Sequence, residues 1–89
     1  MYLIVVYDVA VERVNAVKKY LRTQLTWIQN SVFEGEVTPS QFEEIKSEIK
    51  NLIDENHDSV IFYIMKYPNF KKEVMVLRRD LWKISCEYP

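Results

Sequence analysis

The chain opens on an unbroken apolar run, Tyr2-Leu3-Ile4-Val5-Val6-Tyr7, closed by Asp8. It is short and rich in β-branched and aromatic residues, which predicts a strand buried on both faces rather than a helix. The period then changes. Val11, Val14, Val17, Leu21 and Leu25 recur at steps of three and four, one stripe of an amphipathic helix, with Lys18, Lys19 and Arg22 flanking it. A second helix announces its start in Thr38-Pro39-Ser40-Gln41: a capping hydroxyl, a proline at the first helical position and a glutamine where a capping box needs it. Phe42, Ile45, Ile49, Leu52 and Ile53 make its apolar stripe, and Glu43, Glu44, Lys46, Glu48 and Lys50 its wet side. The polar run Glu55-Asn56-His57-Asp58 ends that helix and leads into a strand, Ser59 to Met65, apolar on both faces. Beyond Pro68, the segments 71–77 and 81–88 read as two further short strands.

Between the helices lies "LTWIQNSVFEGEVT", residues 25–38. It is too short for a helix and longer than an average strand, so it predicts two short strands or one sharply bent strand. Gly35, the only glycine in the chain, is expected to let the backbone bend there. Gln29, Asn30 and Ser31 suit local hydrogen bonding at such a bend, or contact with a second chain. The element order is β-α-β-β-α-β with an additional C-terminal strand, an α+β chain of the ferredoxin-like type. All 89 residues fall into one domain.

Two helices cover only one face of such a sheet. Yet Leu3, Val5 and Tyr7 oppose Tyr2, Ile4 and Val6 across the first strand, and Val60, Phe62 and Ile64 oppose Ile61, Tyr63 and Met65 across the strand that follows the second helix. Both faces are apolar and both need cover. A second copy packed sheet against sheet supplies it, so a face-to-face homodimer is expected. At about 25 cal/mol per Å², an apolar face of several hundred Å² outweighs a large part of the cost of association. The C-terminal strand, about 80–88, is expected to cross and extend the partner's sheet edge.

Composition changes this picture little. An apolar share of 48% with 28% charged residues is ordinary for a globular domain, if high for so short a chain. No apolar run approaches the ~20 residues of a membrane span, and no basic leader precedes the first strand. Cys86 is alone, which excludes an internal disulfide and a cysteine zinc site. These features together suggest a reducing, cytoplasmic setting. The formal charge is −1 but unevenly spread: residues 1–33 carry a net +2, residues 34–58 a net −6 and residues 59–89 a net +3. A nucleic-acid face is compatible with this balance, though an ordinary solvated surface would show it as well.

Three features converge on one family. The first strand ends in Tyr7-Asp8-Val9, a helix bearing basic residues follows, and "WIQNSVFEGEVT" stands directly before a capped helix. This combination resembles the small CRISPR-associated protein two family, the partner of the integrase in spacer acquisition, over residues 1–86. "QNSVFEGE" some twenty residues after a strand-terminal "YD" is a specific pattern, whereas "YD" alone would be a weak one. The resemblance implies a ferredoxin-like homodimer that acts in CRISPR adaptation, bridges integrase subunits and binds double-stranded DNA. It also implies a metal-dependent endonuclease activity on single-stranded RNA or double-stranded DNA.

Asp8 is the candidate catalytic and metal-binding residue. From the residues alone it has two readings: a cap on the first helix, or a carboxylate placed at the sheet end for chemistry. The resemblance implies the second, with one Asp8 from each chain meeting at the two-fold axis to hold Mg²⁺ or another divalent cation. The family pattern also has further acids and arginines after this aspartate, where this chain has only Glu12 and Arg13. That sparse set bears on nuclease activity more than on an adaptor role. Arg13, Lys18, Lys19, Arg22, Arg78 and Arg79 are candidate nucleic-acid contacts, with Lys71 and Lys72 behind them; paired arginines suit phosphate best. Trp27 and Trp82 read as core or interface residues that have the chemistry to stack on bases. His57 lacks a second ligand and Cys86 a histidine partner. Two other readings stand beside the adaptation protein: a stand-alone, toxin-like endoribonuclease, and a non-catalytic ferredoxin-like regulatory module.

Overall fold

The computed structural model describes residues 1–66, 71–77 and 86–88. Its elements are β1 (Tyr2–Asp8), α1 (Val11–Gln24), β2 (Thr26–Gln29), β3 (Val32–Glu36), α2 (Pro39–Leu52), β4 (Ser59–Lys66), β5 (Lys71–Leu77) and β6 (Cys86–Tyr88). The sheet runs in the order β2-β3-β1-β4-β5-β6, and every neighbouring pair is antiparallel. The first four strands and two helices form the ferredoxin-like α+β unit expected from the sequence, and β5 and β6 extend its β4 edge. β6 pairs with β5 of its own chain, Val74 opposite Cys86 and Lys72 opposite Tyr88.

The helices pack on one face. Leu3, Val5, Phe33, Val60, Phe62, Ile64 and Leu77 from the sheet meet Val17 and Leu21 from α1 and Phe42, Ile45 and Ile49 from α2, all of them buried. Phe42 and Phe62 meet edge to face, with ring centroids 5.5 Å apart, a geometry that aromatic quadrupoles favour. On the other face Tyr2, Ile4, Val6, Ile61 and Met65 are half-buried and Tyr63 is 40% exposed. The alternation along β1 and β4 therefore separates a helix-covered face from an apolar face with no helix on it.

Local chemistry explains where the elements start and stop. Thr38 Oγ1 accepts from the Gln41 amide at 3.1 Å, and Gln41 Oε1 accepts from the Thr38 amide at 2.9 Å. This is the capping box expected from the spacing of the two residues. α1 begins less cleanly, since Ala10 at its cap position makes no side-chain bond. Val11, counted above with the apolar stripe, is 83% exposed. It occupies the first helical position, before the helix has come down onto the sheet, and the buried stripe begins only further along.

The segment between the helices is a hairpin, β2 and β3, with a bulge between Trp27 and Gln29. The residue that turns it is Asn30, the only non-glycine with positive φ among those described, at 41°. Gly35 does not bend the chain. It lies within β3 opposite Leu3, and a Cβ there would sit 3.0 Å from Leu25 Cδ2. Its role is close approach between β3 and the end of α1. Trp27, expected in the core or an interface, is 51% exposed on the edge strand β2.

Candidate functional site

Asp8 ends β1, opposite Ser59 at the start of β4. Along β1 the burial alternates, with Leu3, Val5 and Tyr7 under the helices. Asp8 therefore follows Tyr2, Ile4 and Val6 on the face without helices. Its side chain is exposed and makes no hydrogen bond or ion pair among the described residues. The β2–β3 turn lies alongside: the Tyr7 amide donates to the Ser31 carbonyl at 3.1 Å. Asp8 does not cap α1, because no side chain caps that helix. Of its two readings from the residues alone, the cap is excluded.

The residue that organises the start of α1 is Asp58, which the sequence pattern did not single out. Its side chain is fully buried and accepts four N–H donors. Oδ1 takes the Ala10 amide at 2.9 Å and Arg13 Nη2 at 3.0 Å. Oδ2 takes Arg13 Nε at 2.6 Å and the Asp54 amide at 2.9 Å. This bidentate pair and the two backbone donors fill the carboxylate's acceptor positions. The Arg13 guanidinium, helped by the backbone donors and against the cost of burial, holds the Asp58 carboxyl far below the usual carboxylate range. Asp58 directly precedes Ser59, the partner of Asp8 across the strands, and bonds Ala10, two residues after Asp8. It so fixes the backbone on both sides of the candidate carboxylate. The available signal was the aspartate set between a polar loop and an apolar strand.

Arg13, expected as a phosphate contact, thus has two of its donors committed to Asp58, and its side chain is 26% exposed. Lys18, Lys19 and Arg22 are differently placed. Lys19 and Arg22 are exposed and Lys18 half-buried on α1, and none of the three forms an ion pair among the described residues. Arg22 lies near enough to the buried Tyr7 phenol to oppose, electrostatically, the upward push of burial on its pKa. Arg78 and Arg79 fall outside the described residues, as does Trp82. His57 Nδ1 meets Asp54 Oδ2 at 3.0 Å on an exposed loop.

For a divalent ion the donor set of one chain is incomplete. Among the described residues no three His, Cys, Asp or Glu side chains converge. Asp8 offers one carboxylate unengaged among the described residues, where Mg²⁺ takes one or two from protein with water and phosphate oxygens completing its shell. Nor is any helix among the described residues long and apolar enough to cross a membrane.

Fold and site together define a class: a small ferredoxin-like α+β domain with a free aspartate at the end of its first strand, on the sheet face away from the helices. Comparison with known proteins identifies the family. The model of the CRISPR associated protein Cas2 family matches residues 1–73, and the chain belongs to that family. It is 65% identical over 66 residues to a CRISPR-associated endoribonuclease Cas2 of Pyrococcus furiosus, covering 74% of this chain and 78% of that one. With the protein of the same name in Thermococcus kodakarensis the identity is 58% over 80 residues, 90% of this chain and 93% of the other. Among solved structures, a cas2 crystal structure aligns with a TM-score of 0.68 at 54% identity, covering 71% of each chain. Streptococcus pyogenes Cas2 aligns with the same score at 39% identity, over 74% of this chain and 87% of that one.

Proposed function

We propose that this protein is a homodimeric CRISPR-associated endoribonuclease, cutting single-stranded RNA at a site made by two copies of Asp8. The observation that carries this reading is the placement of Asp8: exposed, unbonded, and on the same face as Tyr2, Ile4, Val6, Ile61 and Tyr63. If that apolar face closes on a second copy, the strand-end carboxylates come to its rim, where symmetry can bring them together. Asp8 and Asp8 of the partner subunit would then hold Mg²⁺ or another divalent cation between them. The ion would supply Lewis acidity at the scissile phosphate. The names of the Pyrococcus and Thermococcus relatives support RNA as substrate.

In this scheme the protein's own residues do the positioning. Among the described residues no bond holds Asp8 away from a ligand's position. The Asp58–Arg13 pair keeps the strand end and the start of α1 in register. β6, paired with β5 here, would reach the equivalent edge of the partner by crossing over, exchanging the same backbone hydrogen bonds between chains. The test is cleavage of a 5′-labelled single-stranded RNA with Mg²⁺, with EDTA, and by Asp8→Asn. Cleavage dependent on both the metal and Asp8 is expected. Cleavage undiminished in the variant would refute the assignment.

A second reading is favoured by Asp8 standing outside any converging group of three ligating side chains, and by Lys18, Lys19 and Arg22 standing without ion pairs, among the described residues. Here the dimer serves CRISPR adaptation without catalysis, holding double-stranded DNA by its phosphates and bridging integrase subunits. A protein that binds duplex DNA and the integrase yet leaves RNA intact under all metal conditions would establish it over the first.

A further inference from the structure

Trp27 has no part in the core. It lies on β2, an edge strand whose four residues are all exposed. Its one polar atom is already used, for indole Nε1 donates to the Asn30 carbonyl at 3.1 Å. That bond ties the ring to its own hairpin while 51% of the residue remains open to water. What is exposed is therefore a held apolar ring with no hydrogen-bonding need of its own.

The helix that leads into β2 carries cations. In register Trp27 lies opposite Phe33, which is buried under the helices, so the ring belongs to the helix side of the sheet's rim. The last turn of α1 is on that side and passes into β2 through Leu25 alone. It carries Arg22, one turn after Lys18, and neither forms an ion pair among the described residues. Arg22 acts electrostatically on Tyr7, the neighbour of Asp8 in the chain. The turn that accepts the Trp27 indole is the one bonded to Tyr7. The ring and the cations of α1 thus lie on the helix side of the sheet's rim, while Asp8 stands at the end of β1 on the other face.

We propose that Trp27, with Arg22 and Lys18, forms a binding strip for single-stranded RNA, the indole stacking on an unpaired base and the two cations meeting flanking phosphates. This rests on the RNA reading given above and adds to it a basis for choosing single strands. Stacking on an aromatic side chain requires a base free on one face, which a duplex does not offer along its length. An exposed strand edge also suits a protein strand, but cations without ion pairs among the described residues, on the helix leading to a ring whose N–H is already satisfied, match a polyanion with flat bases.

The test is binding without cleavage. Full-length protein in EDTA is titrated into a fluorescein-labelled 12-nucleotide oligouridylate and, in parallel, a blunt 20-base-pair DNA duplex, read by anisotropy over a range of salt. Trp27→Ala should weaken oligouridylate binding by about 5- to 150-fold, the range for loss of one base stack, and change duplex binding less than about two-fold. Trp27→Phe keeps a ring but loses the N–H, and should retain most of the affinity. Arg22→Gln should weaken binding and lower the salt slope on the single strand by about 0.7 for each phosphate no longer neutralised. Equal losses on both probes, a Trp27→Phe variant as weak as Trp27→Ala, or wild-type protein that does not bind the oligonucleotide would each overturn the strip. Binding that follows the expected pattern in a protein that never cleaves with Mg²⁺ would sustain the strip and refute the nuclease reading alone.

Discussion

Replacing Asp58 with alanine should destabilise the fold by about 3 kcal/mol, the lower end of the cost of breaking a buried ion pair from one side. The low end applies because Arg13 is 26% exposed and can turn toward water, while Asp58 is fully buried. The loss has two components. Arg13 loses a bidentate partner at 2.6 and 3.0 Å, and the Ala10 and Asp54 amides lose their acceptor. Each orphaned donor costs about 1–3 kcal/mol where water cannot replace the carboxylate. For a domain whose total stability is on the order of 5–15 kcal/mol, this is a large fraction, and it should lower Tm by roughly 12–24 °C at 4–8 °C per kcal/mol. Calorimetric melts of wild type, Asp58→Ala, Arg13→Ala and the double variant should be compared at one protein concentration, since association would shift Tm by mass action. The double variant should lose much less than the two single losses combined, by at least about 1 kcal/mol of coupling. Additive losses, or an Asp58→Ala melt within a few degrees of wild type, would refute the description of this pair as a clamp.

The remaining predictions concern pH, the open face and the glycine. Because the folded Asp58 carboxyl titrates below its unfolded value, its contribution is complete above the unfolded pKa of about 3.9 and is lost as pH falls toward the folded one. Wild-type Tm should therefore drop steadily from about pH 5 downward, and Asp58→Asn should show a shallower drop over the same range. Tyr63→Glu places a charge in the middle of the apolar face beside Ile4. Sedimentation equilibrium should show dimers for wild type and monomers for this variant, and a wild-type monomer would remove the basis for pairing Asp8 across chains. Gly35→Ala puts a methyl group 3.0 Å from Leu25 Cδ2 and should cost about 1 kcal/mol in chemical denaturation, the low end for overpacking, since the neighbour it meets is the tip of a side chain.

Much of the fold was legible because it depends on short-range patterns. The capping residues Thr38 and Gln41 lie three apart, and their reciprocal bonds follow from that spacing alone. The two-sided apolar strands β1 and β4 show in consecutive residues, and an amphipathic stripe in any helix-length window. Those patterns left certain roles open. Val11 fits the stripe by number but precedes the contact with the sheet. Gly35 looked like a bend because glycine permits one, while Asn30 takes the positive φ and Gly35 makes room for Leu25, ten residues earlier. Trp27 read as core or interface because it is large and apolar, and a two-strand hairpin at the sheet edge takes it out of this chain's core.

By itself, then, the order of residues determined the succession of strands and helices, which strand faces are apolar, and the candidacy of Asp8 as a strand-end carboxylate. Only the tertiary structure decided where Asp8 is placed and what Arg13 bonds. Asp58 lies 45 residues from Arg13 and 48 from Ala10, and it meets them because β4 returns antiparallel beside β1. A capping bond is a matter of local spacing, which a pattern records. A buried carboxylate taking donors from Ala10 and Arg13, far away in the chain, depends on which strands become neighbours, and that is settled by the packing of the whole sheet.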